Sequence, residues 1–179
     1  MPDYDGSVTL ESPFPGREVA YRAGEGTLEA IYVAPSAAAP VQSVQTARAL
    51  AGLGLEGDRY TSGAGTYSAT PGTGRHLTLI DAAALTAVER QLGIFLPPGA
   101  SRRNLVTRGV ELDALIGRRF WIGEVLCEGM RACPPCDHLE RLTQPGVLRA
   151  LVDRGGLRAD ILQGGTLRVG DAIRLADGT

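Results

Sequence analysis

Leu157-Arg158-Ala159-Asp160-Ile161-Leu162, Gln163-Gly164-Gly165-Thr166, Leu167-Arg168-Val169, Gly170-Asp171 and Ala172-Ile173-Arg174-Leu175 follow one another as short, partly alternating apolar runs cut by glycine. Runs of this length bounded by Gly turns read as a strand meander. Upstream, Leu28 to Val33 alternates partly and is closed by Ala34-Pro35, which predicts an early strand. Arg75 to Ile80, Arg103 to Thr107 and Arg119 to Glu128 read as further strands, the last carrying Phe120, Trp121, Ile122, Val125 and Leu126. Two helices are predicted. One runs from Asp81 as N-cap to about Leu92, with Ala84, Leu85, Val88 and Leu92 on one side and Gly93 as its stop. The other has Pro145 in its first turn, ends at Gly155-Gly156 and buries Val147, Leu148, Leu151 and Val152. Many short strands with two helices predict a mainly β fold, a barrel, with a few short helices.

The 179 residues fit one compact domain, expected as an irregular arm over 1–26 and a barrel domain over 27–179. A 44% hydrophobic and 21% charged composition supports a buried core and excludes disorder as the main state. The net charge of -2 argues against nucleic acid as a partner, since nonspecific affinity needs many cationic phosphate contacts. No apolar run is long enough for a membrane helix, and the opening Met1-Pro2-Asp3-Tyr4-Asp5 is acidic where a secretory signal is basic, so the expected location is the cytoplasm. All eighteen cationic residues are arginine, a planar fork suited to oxyanions, although arginine-biased codon use in a GC-rich genome is the preferred explanation of the pattern. Three cysteines, Cys127, Cys133 and Cys136, cannot all pair internally, which suits a reducing compartment.

Three local features carry chemistry. The first is Cys133-Pro134-Pro135-Cys136, followed by Asp137 and His138. It is compatible with half of a zinc site, a redox pair, a pair of small buried hydrophobes, or a nucleophilic, sulfur-accepting or metal-ligating thiolate. A second CxxC is missing for zinc, and the flanking strands form a meander where a redox pair sits in a βαβ unit. A free thiol of pKa near 8.5 is only slightly ionised at neutral pH, so coordination or a nearby cation must activate it. The second feature is Ser101-Arg102-Arg103-Asn104 entering a strand, where alternation predicts that Arg102 and Asn104 project together while Arg103 points away. The pair could hold a phosphate or a pterin edge, or be a solvated strand end. The third is Glu56-Gly57-Asp58-Arg59-Tyr60, an acidic turn, a metal carboxylate or a structural Asp58–Arg59 pair. It leads into residues 61–74, TSGAGTYSATPGTG, expected to be a mobile surface loop of the kind that forms lids.

Taken in order, Gly57-Asp58-Arg59, Arg75-His76-Leu77-Thr78-Leu79-Ile80, Arg102-Arg103-Asn104-Leu105-Val106, Leu115-Ile116-Gly117, Ile122-Gly123-Glu124, Pro135-Cys136 with Leu139, and Leu167-Arg168-Val169-Gly170-Asp171 resemble the MOSC domain, named for the C-terminal domain of molybdenum cofactor sulfurase. The resemblance spans about Leu28 to Leu175 and implies a β-barrel with small helices. In that family a cysteine either carries persulfide sulfur from a pyridoxal-phosphate cysteine desulfurase or ligates molybdenum in an N-reductive enzyme. Cys136 matches that position, and Cys133 precedes it as in the mitochondrial amidoxime-reducing component. The resemblance likewise implies that Arg102 and Asn104 hold the pterin, with Arg75, Asp58, Arg59 and Cys133 as further cofactor-binding candidates. It implies molybdenum cofactor as ligand, Cys136 as catalytic residue and metal ligand, and reduction of an N-hydroxylated small molecule fed by a separate electron-transfer protein. A sulfur carrier charged by a cysteine desulfurase and a non-catalytic cofactor carrier are the alternatives. Each of these roles requires the sulfur at position 136 to face an open, positively lined cavity.

Overall fold

The computed structural model describes residues 25–70 and 72–176; the arm expected over 1–26 lies outside the described residues up to position 24. In chain order the strands and helices are β1 (Glu25–Val33), β2 (Gln42–Val44), β3 (Thr46–Leu50), β4 (Gly54–Leu55), β5 (Leu77–Asp81), α1 (Ala82–Leu92), β6 (Leu105–Arg108), β7 (Arg119–Ile122), β8 (Val125–Ala132), α2 (Asp137–Leu142), α3 (Val147–Ala150), β9 (Leu157–Gln163), β10 (Gly165–Arg168) and β11 (Ala172–Leu175), with a 3-10 turn at Leu112–Leu115 before β7. The order β11-β7-β8-β9-β5-β6-β1 closes on itself through the β1–β11 pairing, giving a seven-stranded barrel with β2 flanking β1. A small sheet, β10-β3-β4, lies beside it. The fold is therefore the mainly β barrel that the glycine-cut tail predicts. No helix among the described residues is long and apolar enough to cross a membrane.

Alternation fills the barrel. Leu157, Ala159 and Ile161 of β9 are buried while Arg158 and Asp160 between them are not, as a strand with one face inward requires. Phe120, Leu28, Leu79, Leu105 and Leu157 meet in the interior core without solvent contact. Each such side chain contributes about 1.5–3 kcal/mol through burial. A second apolar cluster lies outside the barrel, where Ile80 and Val106 support Val88, Leu139, Val147 and Leu151 from the helices. Cys136 packs partly against this second cluster, so the helices carry the CxxC turn.

β5 and β6 pair in parallel and are joined through α1. Asp81 caps that helix by accepting from the Ala83 N–H at 2.8 Å, and Gly93, at φ 65°, ends it. The helix is as expected, but its buried face is narrower, because only Val88 is fully covered and Leu92 is 53% exposed. The run Arg119 to Glu128, expected as one strand, is a hairpin: Ile122 pairs with Val125 across Gly123-Glu124, and Gly123 at φ 56° supplies the positive dihedral of a primed turn. The helix expected from Pro145 to Gly155 contracts to α3, while α2 and the short strands β2, β3 and β4 went unread. Six residues is too short for a helical period to register.

Candidate functional site

The site is assembled where the entry to β6, the CxxC turn, the 61–74 loop and the adjoining ends of β8 and β9 meet. They enclose a cleft of about 210 Å³. Arg59, Arg102, Arg103, Arg131 and Arg158 line it together with Cys136, and among the described residues no carboxylate does. The half-buried Cys136 stands at the N-cap position of α2 with φ -142° and ψ 162°, its side chain makes no capping bond, and the residue lines the cleft. Tyr67, also in the wall, has its hydroxyl pKa held above the usual phenol range, first by its hydrogen bond to the Cys136 sulfur and then by that sulfur's charge and by burial. Thr66 Oγ1 lies 3.4 Å from His138 Nε2, so two consecutive loop residues reach the segment that carries Cys136. Arg75 holds this loop, its Nη1 donating to the Tyr67 carbonyl at 2.8 Å.

The turn that carries the thiol is fixed by Arg103. Its guanidinium, 8% exposed, donates to the carbonyls of Gly155 at 2.9 Å, Cys133 at 3.0 Å, Pro134 at 3.4 Å and Ser101 at 3.4 Å. The Cys133 N–H donates in turn to the Gly156 carbonyl at 2.7 Å. Two prolines supply no N–H of their own, so these bonds set the turn's position.

Strand alternation does not hold at 102–104. β6 begins at Leu105, and Arg102 stands before it in the left-handed region at φ 56°. Arg102 and Asn104 therefore do not project together. Arg102 lines the cleft but spends Nη1 on the Ala39 carbonyl at 2.9 Å and Nη2 on Ala37 at 2.7 Å. Burial, aided by the like charge of Arg59, draws its pKa down. Asn104 is buried away from the cleft: Oδ1 accepts from Thr78 N at 3.2 Å and Oγ1 at 3.0 Å, and Nδ2 donates to the Tyr32 carbonyl at 3.3 Å. Asp58, 2% exposed, accepts from Arg59 Nη1 at 3.1 Å and from the N–H groups of Ala34 and Tyr60, which makes it a structural pair with Arg59. Arg59 also donates to the Arg102 carbonyl at 3.1 Å. Of the seven expected residues, the cleft gathers Cys136, Arg102 and Arg59, while Asp58, Asn104, Cys133 and Arg75 stand behind its walls.

Sequence reasoning missed Tyr67, Arg131 and Arg158. Tyr67 had a signal, being the sole large side chain in a loop of small residues. His76 is structural, since its Nδ1 accepts the Ile161 N–H at 3.0 Å.

Cys133 and Cys127 are sealed, at 1% and 0% exposure, and burial with the nearby Asp160 charge pushes Cys127 up to about 12. A thiol reagent such as Ellman's at pH 8 is therefore expected to modify Cys136 alone in the native protein and all three cysteines in guanidinium. Rapid native reaction of two thiols would contradict this geometry.

The MOSC domain family model matches residues 66–174. The chain belongs to the MOSC domain family. Among solved structures, the MOSC chain is similar to the YuaD protein from Bacillus subtilis, at TM-score 0.70 and 16% identity over 84% of this chain and 95% of that one. It is also similar to YiiM from Geobacillus stearothermophilus, at TM-score 0.63 and 15% identity over 85% and 75% of the two chains. YiiM from Escherichia coli gives 0.61 and 18% over 86% and 71%. At these identities the likeness is one of fold. No curated protein matches the MOSC sequence significantly.

Proposed function

We propose that this MOSC domain binds molybdenum cofactor in the arginine-lined cleft, with Cys136 as thiolate ligand to the metal. The observation that carries the reading is that Cys136 lines a cleft with, among the described residues, five guanidiniums and no carboxylate, while the other two thiols are sealed. The donor set fits the group. Thiolate is a soft ligand apt for molybdenum, and guanidinium matches phosphate. The Nε atoms of Arg75 and Arg158 are shut off from solvent without an acceptor, a state that buried donors rarely keep. When bound, the cofactor supplies redox chemistry at molybdenum, and the reaction in view is reduction of an N-hydroxylated substrate with electrons from a separate protein.

The chain's own residues have distinct tasks in this reading. Arg103 holds the turn so that the Cys136 sulfur stays at the cleft wall. Tyr67, whose hydroxyl is perturbed by that sulfur, lines the cleft on its loop side. Arg59, fixed by Asp58, braces the backbone at Arg102. Asn104 serves by locking β6 to Thr78 and Tyr32, a supporting task in place of the pterin contact the motif suggests. Three free thiols suit a reducing compartment, which we take to be the cytoplasm.

Metal, pterin and sulfur analysis after anaerobic purification from a cofactor-producing host tests the reading. Near-stoichiometric molybdenum and pterin are expected, with both lost in Cys136→Ala. Protein that holds neither, with Cys136→Ala changing nothing, removes the proposal. A mass gain of one sulfur atom on Cys136 after incubation with a cysteine desulfurase, in metal-free protein, would replace it with the sulfur-carrier role.

A further inference from the structure

β8 and β9 set two like charges face to face beside the thiol. Cys127, Glu128 and Gly129 pair in step with Ile161, Asp160 and Ala159, and pairing then resumes at Arg131 opposite Arg158. Met130 is thus the extra residue of a β-bulge. Without it Arg131 would share the inward phase of Gly129; with it, Arg131 faces the same side as its partner Arg158. Directly opposed like charges on a sheet repel, so a fold gains nothing from this pair unless something negative lies between them.

Among the described residues no carboxylate pairs with either arginine, and Glu128 lies opposite Asp160 farther along the same two strands. The cleft wall that contains both arginines has, among the described residues, no acidic side chain. Asp160, two residues along the same face, is engaged by the N–H groups of Gly74 at 2.8 Å and Arg75 at 3.1 Å. The Arg131 guanidinium has no acceptor or ion-pair partner among the described residues, and Arg158 Nε is buried with none. The position of Arg158 is tightly set. Gly74, at φ 70°, packs on it so closely that a Cβ there would stand 2.9 Å from the Arg158 Cβ and 3.1 Å from the Met130 Cβ. Arg102 and Arg103, by contrast, have spent their guanidiniums on backbone carbonyls.

We propose that Arg131 and Arg158 form a clamp for one phosphate monoester, taken up between two guanidiniums, each able to present a fork of N–H donors. The inference rests on the Cys136 cleft being the ligand site, and it assigns the anion contact to residues outside the Arg102–Asn104 segment. The phosphate belongs either to the pterin cofactor or to a phosphorylated substrate.

Calorimetric titration of the cofactor-free full chain with inorganic phosphate and with a nucleoside monophosphate, at low salt, tests the clamp. Arg131→Gln and Arg158→Gln are each expected to weaken binding about tenfold or more, with Arg158→Lys between, because a point charge replaces a fork. Arg118→Gln, an exposed arginine away from the cleft, serves as the charge control and is expected to bind as wild type. Melting curves show that the variants are folded. No phosphate binding by the wild type, or equal affinity in all variants, overturns the clamp. Loss of purified pterin in both Gln variants assigns the phosphate to the cofactor; retained pterin with lost nucleotide binding assigns it to a substrate. Phosphate binding through these arginines in a protein that never carries molybdenum keeps the clamp and removes the cofactor reading. Molybdenum on Cys136 with phosphate affinity indifferent to both arginines does the reverse.

Discussion

Arg103→Met is expected to lower folding stability by about 3–5 kcal/mol, because removing one side of a buried charged network leaves its partners unsatisfied. The guanidinium is nearly sealed, and its two shortest bonds, to Gly155 and Cys133, join the segment before β9 to the CxxC turn. Methionine matches the stem but offers no donor, so these carbonyls would lie in the interior with no replacement. At about 2–4 °C per kcal/mol for a chain of this size, the melting temperature should fall by roughly 10 °C. Arg103→Lys should fall between, since one ammonium cannot reach four carbonyls in the directions a planar fork can. Loosening of the turn should also let a thiol reagent reach Cys133 in the native protein. Urea denaturation within about 0.5 kcal/mol of wild type, the range of ordinary surface changes, would show that Arg103 does not hold the turn.

The same residue marks the limit of what the sequence could tell. Alternation assigned Arg103 to the face away from the site and paired Arg102 with Asn104. That rule holds only inside a strand, and the strand starts one residue after Asn104 with Arg102 in a left-handed conformation. Where the chain is a regular strand, as in β9, the alternation in the sequence matches the burial of Leu157, Ala159 and Ile161 between polar neighbours. Cys136 stands out through its motif, and it lines a cleft together with five arginines. Arg131 was not legible, because its direction depends on the bulge at Met130, and a bulge follows from pairing with β9 rather than from local sequence. Strands β3 and β4 escaped notice for a related reason. Ala47 and Ala49 are weak apolar signals, and the partner that makes β3 a strand, β10, lies more than a hundred residues later.

Gly156→Ala is the second change expected to have a large effect. Gly156 stands at φ 100°, outside the regions an L-residue adopts readily, and an added Cβ would overlap the Leu79 carbonyl oxygen and lie 2.9 Å from its carbon. That obstacle is backbone, not a side chain that can swing aside. Leu79 is paired with Leu105 on one side and Leu157 on the other, so β5 has no free edge toward which to yield. A dihedral penalty of about 1–3 kcal/mol adds to an overpacking penalty of similar size, for a total of about 2–6 kcal/mol. Gly170 separates the two causes, since it has φ 98° but nothing within 4 Å of an added Cβ. Gly170→Ala should therefore show the dihedral penalty alone, about 1–3 kcal/mol. In Gly156→Ala the carbonyl that accepts the Cys133 N–H must also move, and with it the turn that presents Cys136. Faster native labelling of Cys133 should accompany the stability loss in this variant and be absent in Gly170→Ala. Equal urea midpoints for the two alanine variants would mean that β5 makes room, and that the CxxC turn is not held against a rigid strand.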